Sequence, residues 1–176
     1  MSNFVYQFLL GVGVNIVAAS VFALVAWYLA RIPDLTGAWT FELTISESTR
    51  PDYRGLKVVY VALISQDGQS INGVAEKVYE CGADGKEYKY PPKGRMRSEI
   101  VGGLRGNVFQ SREFHLLLRE QGQIRPYATI QQVRKVRGDR LQGAFVSTAA
   151  NSKGDCVWTR GLKHEFQNGL DSKNAP

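Results

Sequence analysis

Charge is missing from the beginning of this chain. Between Phe4 and Ala30 there is no Asp, Glu, Lys or Arg, and every charged side chain of the 176 residues lies at Arg31 or beyond. Cysteine and histidine are equally sparse, with Cys81, Cys156, His115 and His164 the complete set. Two cysteines cannot make a disulfide framework and lack zinc-site spacing; one disulfide stays open, and reduced thiols are expected if the domain is cytosolic. There is no G-x-S-x-G elbow, no H-E-x-x-H and no phosphate-cradling G-x-x-x-x-G-K-S/T, so the common hydrolytic and nucleotide-cleaving chemistries have no local signature. The expectation is a non-enzymatic protein without metal or cofactor.

The uncharged stretch has membrane length. At a helical rise of about 1.5 Å per residue, residues 4–30 reach roughly 40 Å, against a hydrocarbon core of about 30 Å. That is enough for one crossing. A cleavable signal peptide is the competing reading, but no basic residue precedes the run, the run is long for that role, and no small-x-small site stands directly before Arg31. A permanent single-pass anchor is therefore expected, with Arg31 as the nearest basic flank placing the following domain in the cytoplasm.

Within the anchor, Gly11, Asn15, Ala19 and Ala23 recur every fourth residue. Small residues at that spacing let two helix backbones approach closely, and the Asn15 amide would find a partner in the same residue of a second copy. Small residues are also common in spanning helices that do not associate, so self-association is an expectation with a bland rival.

From Leu35 onward the pattern changes to period two. Trp39, Phe41 and Leu43 alternate with Thr40, Glu42 and Thr44, and similar runs recur between turn residues. Strands are expected at about 36–46, 56–66, 70–80, 94–101, 107–119, 126–136, 140–148 and 155–163. "SQDGQS" (65–70) suits a type I′ hairpin at Asp67-Gly68, and "VRGDRL" (136–141) and "NSKGDC" (151–156) give two further turns. Eight sequential strands with short turns favour an all-β, up-and-down antiparallel barrel, because closure removes exposed edges. The organisation is then a transmembrane helix at 4–30, a ligand-sensing barrel at 35–163 and a tail at 164–176. Two long connections, 46–55 and 81–94, combine tyrosines with basic residues as lids or contact surfaces at a barrel rim do.

A net charge of +6, concentrated in the second half, suits an anionic ligand or membrane surface, or simply a solvated exterior. Arginines and tyrosines together are the usual means of holding phosphates and bases. From polar and aromatic side chains within the expected strands, the candidate ligand contacts are Arg97, Arg119, Tyr127, Gln131, Arg134 and Trp158, with Arg97 and Arg134 as phosphate partners. On the strand at 126–136, Tyr127, Thr129, Gln131 and Val133 share one face and Ala128, Ile130, Gln132 and Arg134 the other; pattern alone does not say which is inside. Trp39 and Arg160 are expected to meet where first and last strands join, the guanidinium covering the indole as a structural plug.

"LTGAW" (35–39) and "LQGAFVSTAANSKGDCVWTR" (141–160) resemble the Gly-x-Trp opening and arginine-bearing final strand of calycin barrels such as lipocalins. With the anchor ahead of it, the architecture resembles the membrane-anchored β-barrel effectors of bacterial cyclic-oligonucleotide antiphage defence, abbreviated CBASS. That resemblance implies a cytosolic barrel at the inner membrane that binds a cyclic di- or oligonucleotide and homo-oligomerises to disrupt the bilayer, or a guard arrangement in which the nucleotide restrains the effector. It implies no polymeric nucleic acid partner. The chain departs from the family's usual description in having room for one transmembrane segment where two are often stated. A tethered lipocalin-like binder of an apolar molecule and a ligand-free interaction domain are the alternatives.

If the small-residue face drives association, Asn15→Leu and Gly11→Leu will each reduce the oligomers recovered by cross-linking in membranes while leaving the barrel folded. Unchanged cross-linking in both variants would remove this face from the mechanism.

Overall fold

The computed structural model describes residues 2–29, 33–106, 112–122 and 125–162. A single helix, α1 (Ser2–Leu29), takes up the uncharged stretch. It is long and apolar enough to cross a membrane, with Tyr6–Trp27 as its most hydropathic part. Gly11, Asn15, Ala19 and Ala23 are all exposed and, at intervals of four, share one of its faces. Arg31 and the expected tail at 164–176 lie outside the described residues.

The other described residues form nine strands with their connections: β1 (Gly37–Glu47), β2 (Lys57–Asp67), β3 (Ser70–Cys81), β4 (Glu87–Lys89), β5 (Arg97–Arg105), β6 (Glu113–Gln121), β7 (Pro126–Arg137), β8 (Arg140–Ser147) and β9 (Ser152–Arg160). Leaving aside the short β4, which adds to the edge of β3, eight antiparallel strands pair in sequence, and β1 pairs with β9 as well as with β2. The sheet thus closes on itself as the expected eight-stranded barrel. The expected strand at 107–119 begins in residues outside the description and is seen as β6; β5 runs on to Arg105, and β9 starts earlier than expected, at Ser152.

Turn chemistry accounts for the differences in detail. Asp67 pairs with Ser70, so the two turn residues are Gly68 and Gln69, of which only Gly68 has positive φ (57°). That sign pattern belongs to a II′ turn, not the I′ turn expected from reading Asp67 as a turn residue. Gly154 is likewise no turn residue. It lies within β9, where a side chain would collide with the Thr44 carbonyl of β1 beside an irregularity in the β1–β9 register. The reversal occurs at Ala149–Asn151, where Ala150 and Asn151 adopt the left-handed backbone region.

Alternation sends one face of every long strand inward. Trp39, Phe41, Leu43 and Ile45 of β1 meet Tyr60, Ala62 and Ile64 of β2, Phe114, Leu116 and Leu118 of β6, and Cys156 and Trp158 of β9. An aromatic column runs through this core: Trp39 meets Trp158 edge-on at 6.3 Å, Trp158 stacks on Phe41 at 4.2 Å, and Phe41 stacks on Tyr60 at 4.7 Å. Buried aromatics supply large apolar area together with directional ring contacts.

One end of the barrel is plugged. Arg160 lies 4.7 Å from the Trp39 ring and donates to the carbonyls of Thr36 and Asp34, both at 2.7 Å. Trp39 Nε1 donates to the Leu35 carbonyl at 2.7 Å, and Gln66 both accepts from the Leu35 amide and donates to the Pro33 carbonyl. The segment that leads into β1 is thereby fastened across the closed end. Trp39→Ala should destabilise the barrel by about 3–5 kcal/mol, the usual cost of emptying a buried aromatic site. Denaturant unfolding followed by circular dichroism will read this; a shift near zero would show that the plug is not part of the core.

A polar cavity at the open end of the barrel

Strand direction decides what gathers at the other end. The mouth is formed where β1, β3, β6 and β8 finish and β2, β5, β7 and β9 begin, so the long connections at 48–56 and 82–96 both lie there. A cavity of about 460 Å³ opens at this end. Leu43, Ile45, Leu56, Val58 and Phe145 make an apolar wall. Opposite them stand Tyr60, Lys77, Glu80, Tyr90, Tyr127 and Thr129, with Arg50, Tyr53 and Arg125 at the rim.

A buried charge cluster organises the polar wall. Glu120, the last inward residue of β6, is fully buried, and its Oε2 accepts from the Tyr60 hydroxyl at 3.0 Å. Its Oε1 has no hydrogen-bond partner among the described residues, and Lys77 Nζ stands 3.6 Å away. The same ammonium lies 3.8 Å from Glu80 Oε2 and near the faces of Tyr60 and Tyr90, at 5.9 and 5.7 Å. Tyr90 donates to Glu80, which ties the long connection after β3 to the barrel wall. The cation and the two carboxylates therefore share one partly dry space in which each limits the desolvation cost of the others.

Alternation puts Lys77 there, and a register shift adds Glu80. Ile71, Gly73, Ala75 and Lys77 would share the inward face by simple alternation, and a bulge at Val78 then returns Glu80 to the same side, opposite Val58. Val78 itself is buried, as is Val59 on the outward side of β2.

The phenols beside Glu120 are held protonated. Burial first, and then the negative charge of Glu120, raise Tyr60 well above the ordinary tyrosine range, and the same two causes in the same order raise Tyr127. Cys156 lies in the core with no exposure, and burial pushes its thiol up to about 12. Cys81 and Cys156 are free thiols rather than the single disulfide left open by the sequence. Among the described residues no group of three or more His, Cys, Asp or Glu could hold a metal ion. His115 points outward beside Glu113 at 3.8 Å, and His164 lies outside the described residues.

The six residues selected from sequence are dispersed. Tyr127 lines the cavity. Gln131 and Trp158 point inward but are satisfied by each other, Trp158 Nε1 donating to Gln131 Oε1 at 2.8 Å one layer nearer the plug. Arg97, Arg119 and Arg134 are on the outer surface; Arg97 pairs with Glu76 and Arg119 with Glu99. Tyr53 and Tyr60 line the cavity as well, whereas Tyr79 pairs with Lys89 of β4 outside it. Lys77, Glu80, Tyr90 and Glu120 form the cluster at the cavity and are not among those six. Glu120 could have been found from Phe114, Leu116 and Leu118, whose alternation puts it on the core face, although Leu117 obscures that phase. Glu80 has no such signal, because the bulge breaks the alternation.

Removing one member of this cluster will expose the dependence. Lys77→Met strands Glu120 without its cation and should cost about 3–5 kcal/mol, while Lys77→Met/Glu120→Gln recovers most of the loss. Equal destabilisation in the single and double variants would show that the pair is not coupled. For the phenols, folding raises the tyrosine pKa, so their contribution is fully present below the unfolded value of about 10 and declines as pH rises above it. Alkaline unfolding should therefore shift to higher pH in Tyr127→Phe.

Comparison with protein-family models, with curated proteins and with solved structures finds no match for this chain.

Proposed function

We propose that this chain is a membrane-anchored sensor whose barrel binds a cyclic di- or oligonucleotide in the cavity at its open end. The observation that carries the reading is the composition of that cavity, in which tyrosines, arginines, Lys77 and Glu80 face one space with the buried Glu120 behind them. Arg50 and Arg125 at the rim suit phosphates, the tyrosine rings suit stacking with bases, and the Glu80 carboxylate suits the amino group of a purine. The volume falls within the usual range for a small-molecule site, about 300–1,000 Å³. Phosphate recognition is thereby assigned to Arg50 and Arg125, since Arg97 and Arg134 point away from the cavity.

The same reading extends to the membrane. α1 spans the bacterial inner membrane with the barrel in the cytoplasm, where such a nucleotide is made, and copies associate through the Gly11, Asn15, Ala19 and Ala23 face to damage the bilayer. The position of the mouth supports a water-borne ligand, because the chain joins α1 to the barrel at the opposite, plugged end.

A lipocalin-like role with an apolar ligand is favoured by one observation, the wall of Leu43, Ile45, Leu56, Val58 and Phe145. Thermal unfolding of the full chain in detergent, across a panel of cyclic dinucleotides, cyclic trinucleotides, mononucleotides and fatty acids, separates the two. A cognate ligand at 100 times its dissociation constant should add about 2.7 kcal/mol of stability. Arg50→Ala and Arg125→Ala should each weaken a cyclic nucleotide by about 1.5–3 kcal/mol, and Arg97→Ala and Arg134→Ala should leave it unchanged. Stabilisation by fatty acids alone would replace the sensor reading with the carrier one, and stabilisation by no member of the panel would overturn both.

A further inference from the structure

The plugged end of the barrel carries its own surface. Four exposed basic residues, Arg105 at the end of β5, Arg134 and Lys135 at the end of β7, and Arg140 at the start of β8, lie on two hairpins joined through the β6–β7 pairing. At the tip of the β7–β8 hairpin Val136 is 57% exposed. Among the described residues none of these four cations is paired with a carboxylate. Of the acidic groups of this end, Asp139 pairs with Arg160 at 3.4 Å, Asp34 accepts from the Thr36 amide, and Glu113 stands across from Arg105 in the β5–β6 register with His115 at 3.8 Å. Asp67 at the β2–β3 turn is a further carboxylate among the described residues of this end, and Glu42 shares a shallow recess with Arg140.

The length of chain outside the barrel says what this surface meets. Pro33, Asp34, Leu35 and Thr36 are fastened to the plugged end by Gln66 and Arg160, so only residues 30–32 separate α1 from the barrel body. Three intervening residues bridge at most about 14 Å between Leu29 and Pro33, whatever path they follow. The mouth is far off by comparison. A strand of 11 residues such as β1, rising about 3.3 Å per residue and tilted about 40°, separates the two ends by roughly 28 Å.

We infer that the plugged end docks on an anionic bilayer surface, with Arg105, Arg134, Lys135 and Arg140 against lipid phosphates and Val136 at the headgroup level. The inference rests on α1 spanning the membrane and is independent of what the cavity binds. Each basic group near an anionic surface contributes favourably, and the attraction is lost at high salt. Docking of this kind fixes the barrel axis relative to the membrane and keeps the mouth directed into solution.

The test uses the full chain, with Cys81→Ser, in nanodiscs of phosphatidylcholine alone or mixed with phosphatidylglycerol, each with a headgroup-labelled quenching lipid. A fluorophore at Val136→Cys should be quenched in the mixed discs. That quenching should be lost in high salt, in phosphatidylcholine discs, and in Arg134→Gln/Lys135→Gln/Arg140→Gln. A fluorophore at Tyr88→Cys, near the mouth, should remain unquenched throughout. Equal quenching at position 136 in both lipids and in the triple variant would mean that the tether alone sets the distance and would overturn charge-dependent docking. Absence of quenching in the mixed discs would overturn it as well. A chain that is not retained in discs at all fails at the anchor itself, which separates that failure from the others. Binding of random-sequence duplex DNA that depends on the same three residues, without lipid quenching, would reassign the patch to nucleic acid.

Discussion

Arg160 laid over Trp39 is the contact on which the rest of this molecule depends. The guanidinium covers an indole at the base of the aromatic column and donates to two carbonyls of the segment that precedes β1. It thus joins the last strand to the first, where the sheet closes, and it fastens the incoming chain at the same point. A single planar cation with several donors can do both because cation–π contact uses its face and hydrogen bonding uses its edge.

The division of the barrel into two unlike ends follows from that plug. Toward Arg160 the interior is filled by aromatic and aliphatic side chains, and its deepest polar groups, Trp158 and Gln131, satisfy each other. Toward the mouth the filling gives way to Tyr60, Lys77, Glu80 and Glu120, groups that are stable in such a place only by facing one another. An ordered polar cluster beside an apolar wall suits a ligand that is itself part ring and part charge. The cost of burying these charges is a reason to regard the cluster as functional, because apolar residues of similar volume would pack at least as well.

The placement of the anchor gives this asymmetry a direction. Since α1 and the plug are separated by three residues, the closed end is confined to the neighbourhood of the helix terminus while the cavity opens at the other end. In the proposed sensor, a ligand arriving through water would meet the mouth without crossing lipid. There, too, a change in barrel arrangement would pass to the helices through this short connection, the condition for raising their effective concentration if copies gather.

The alternation of Trp39, Phe41 and Leu43, the hairpin glycines at 68 and 138, and the charge-free run before Arg31 determined from sequence alone that a long apolar helix leads into an antiparallel barrel, and the Gly37-x-Trp39 and Arg160 pair identified its plug. These features are local or periodic, so pattern reveals them. What only the tertiary structure decided was the inward face of β7 and the content of the cavity. Tyr127 belongs to the cavity while Arg134, seven residues along the same strand, points outward, since an odd separation reverses the side in a regular strand. Glu120 and Lys77 become a site by meeting across strands that are not neighbours, and Glu80 joins them through a bulge that alternation does not foresee. Arg50 and Arg125 come to one rim because β1 and β6 both end there. Closure of the sheet, a property of all eight strands together, brings these residues into one space.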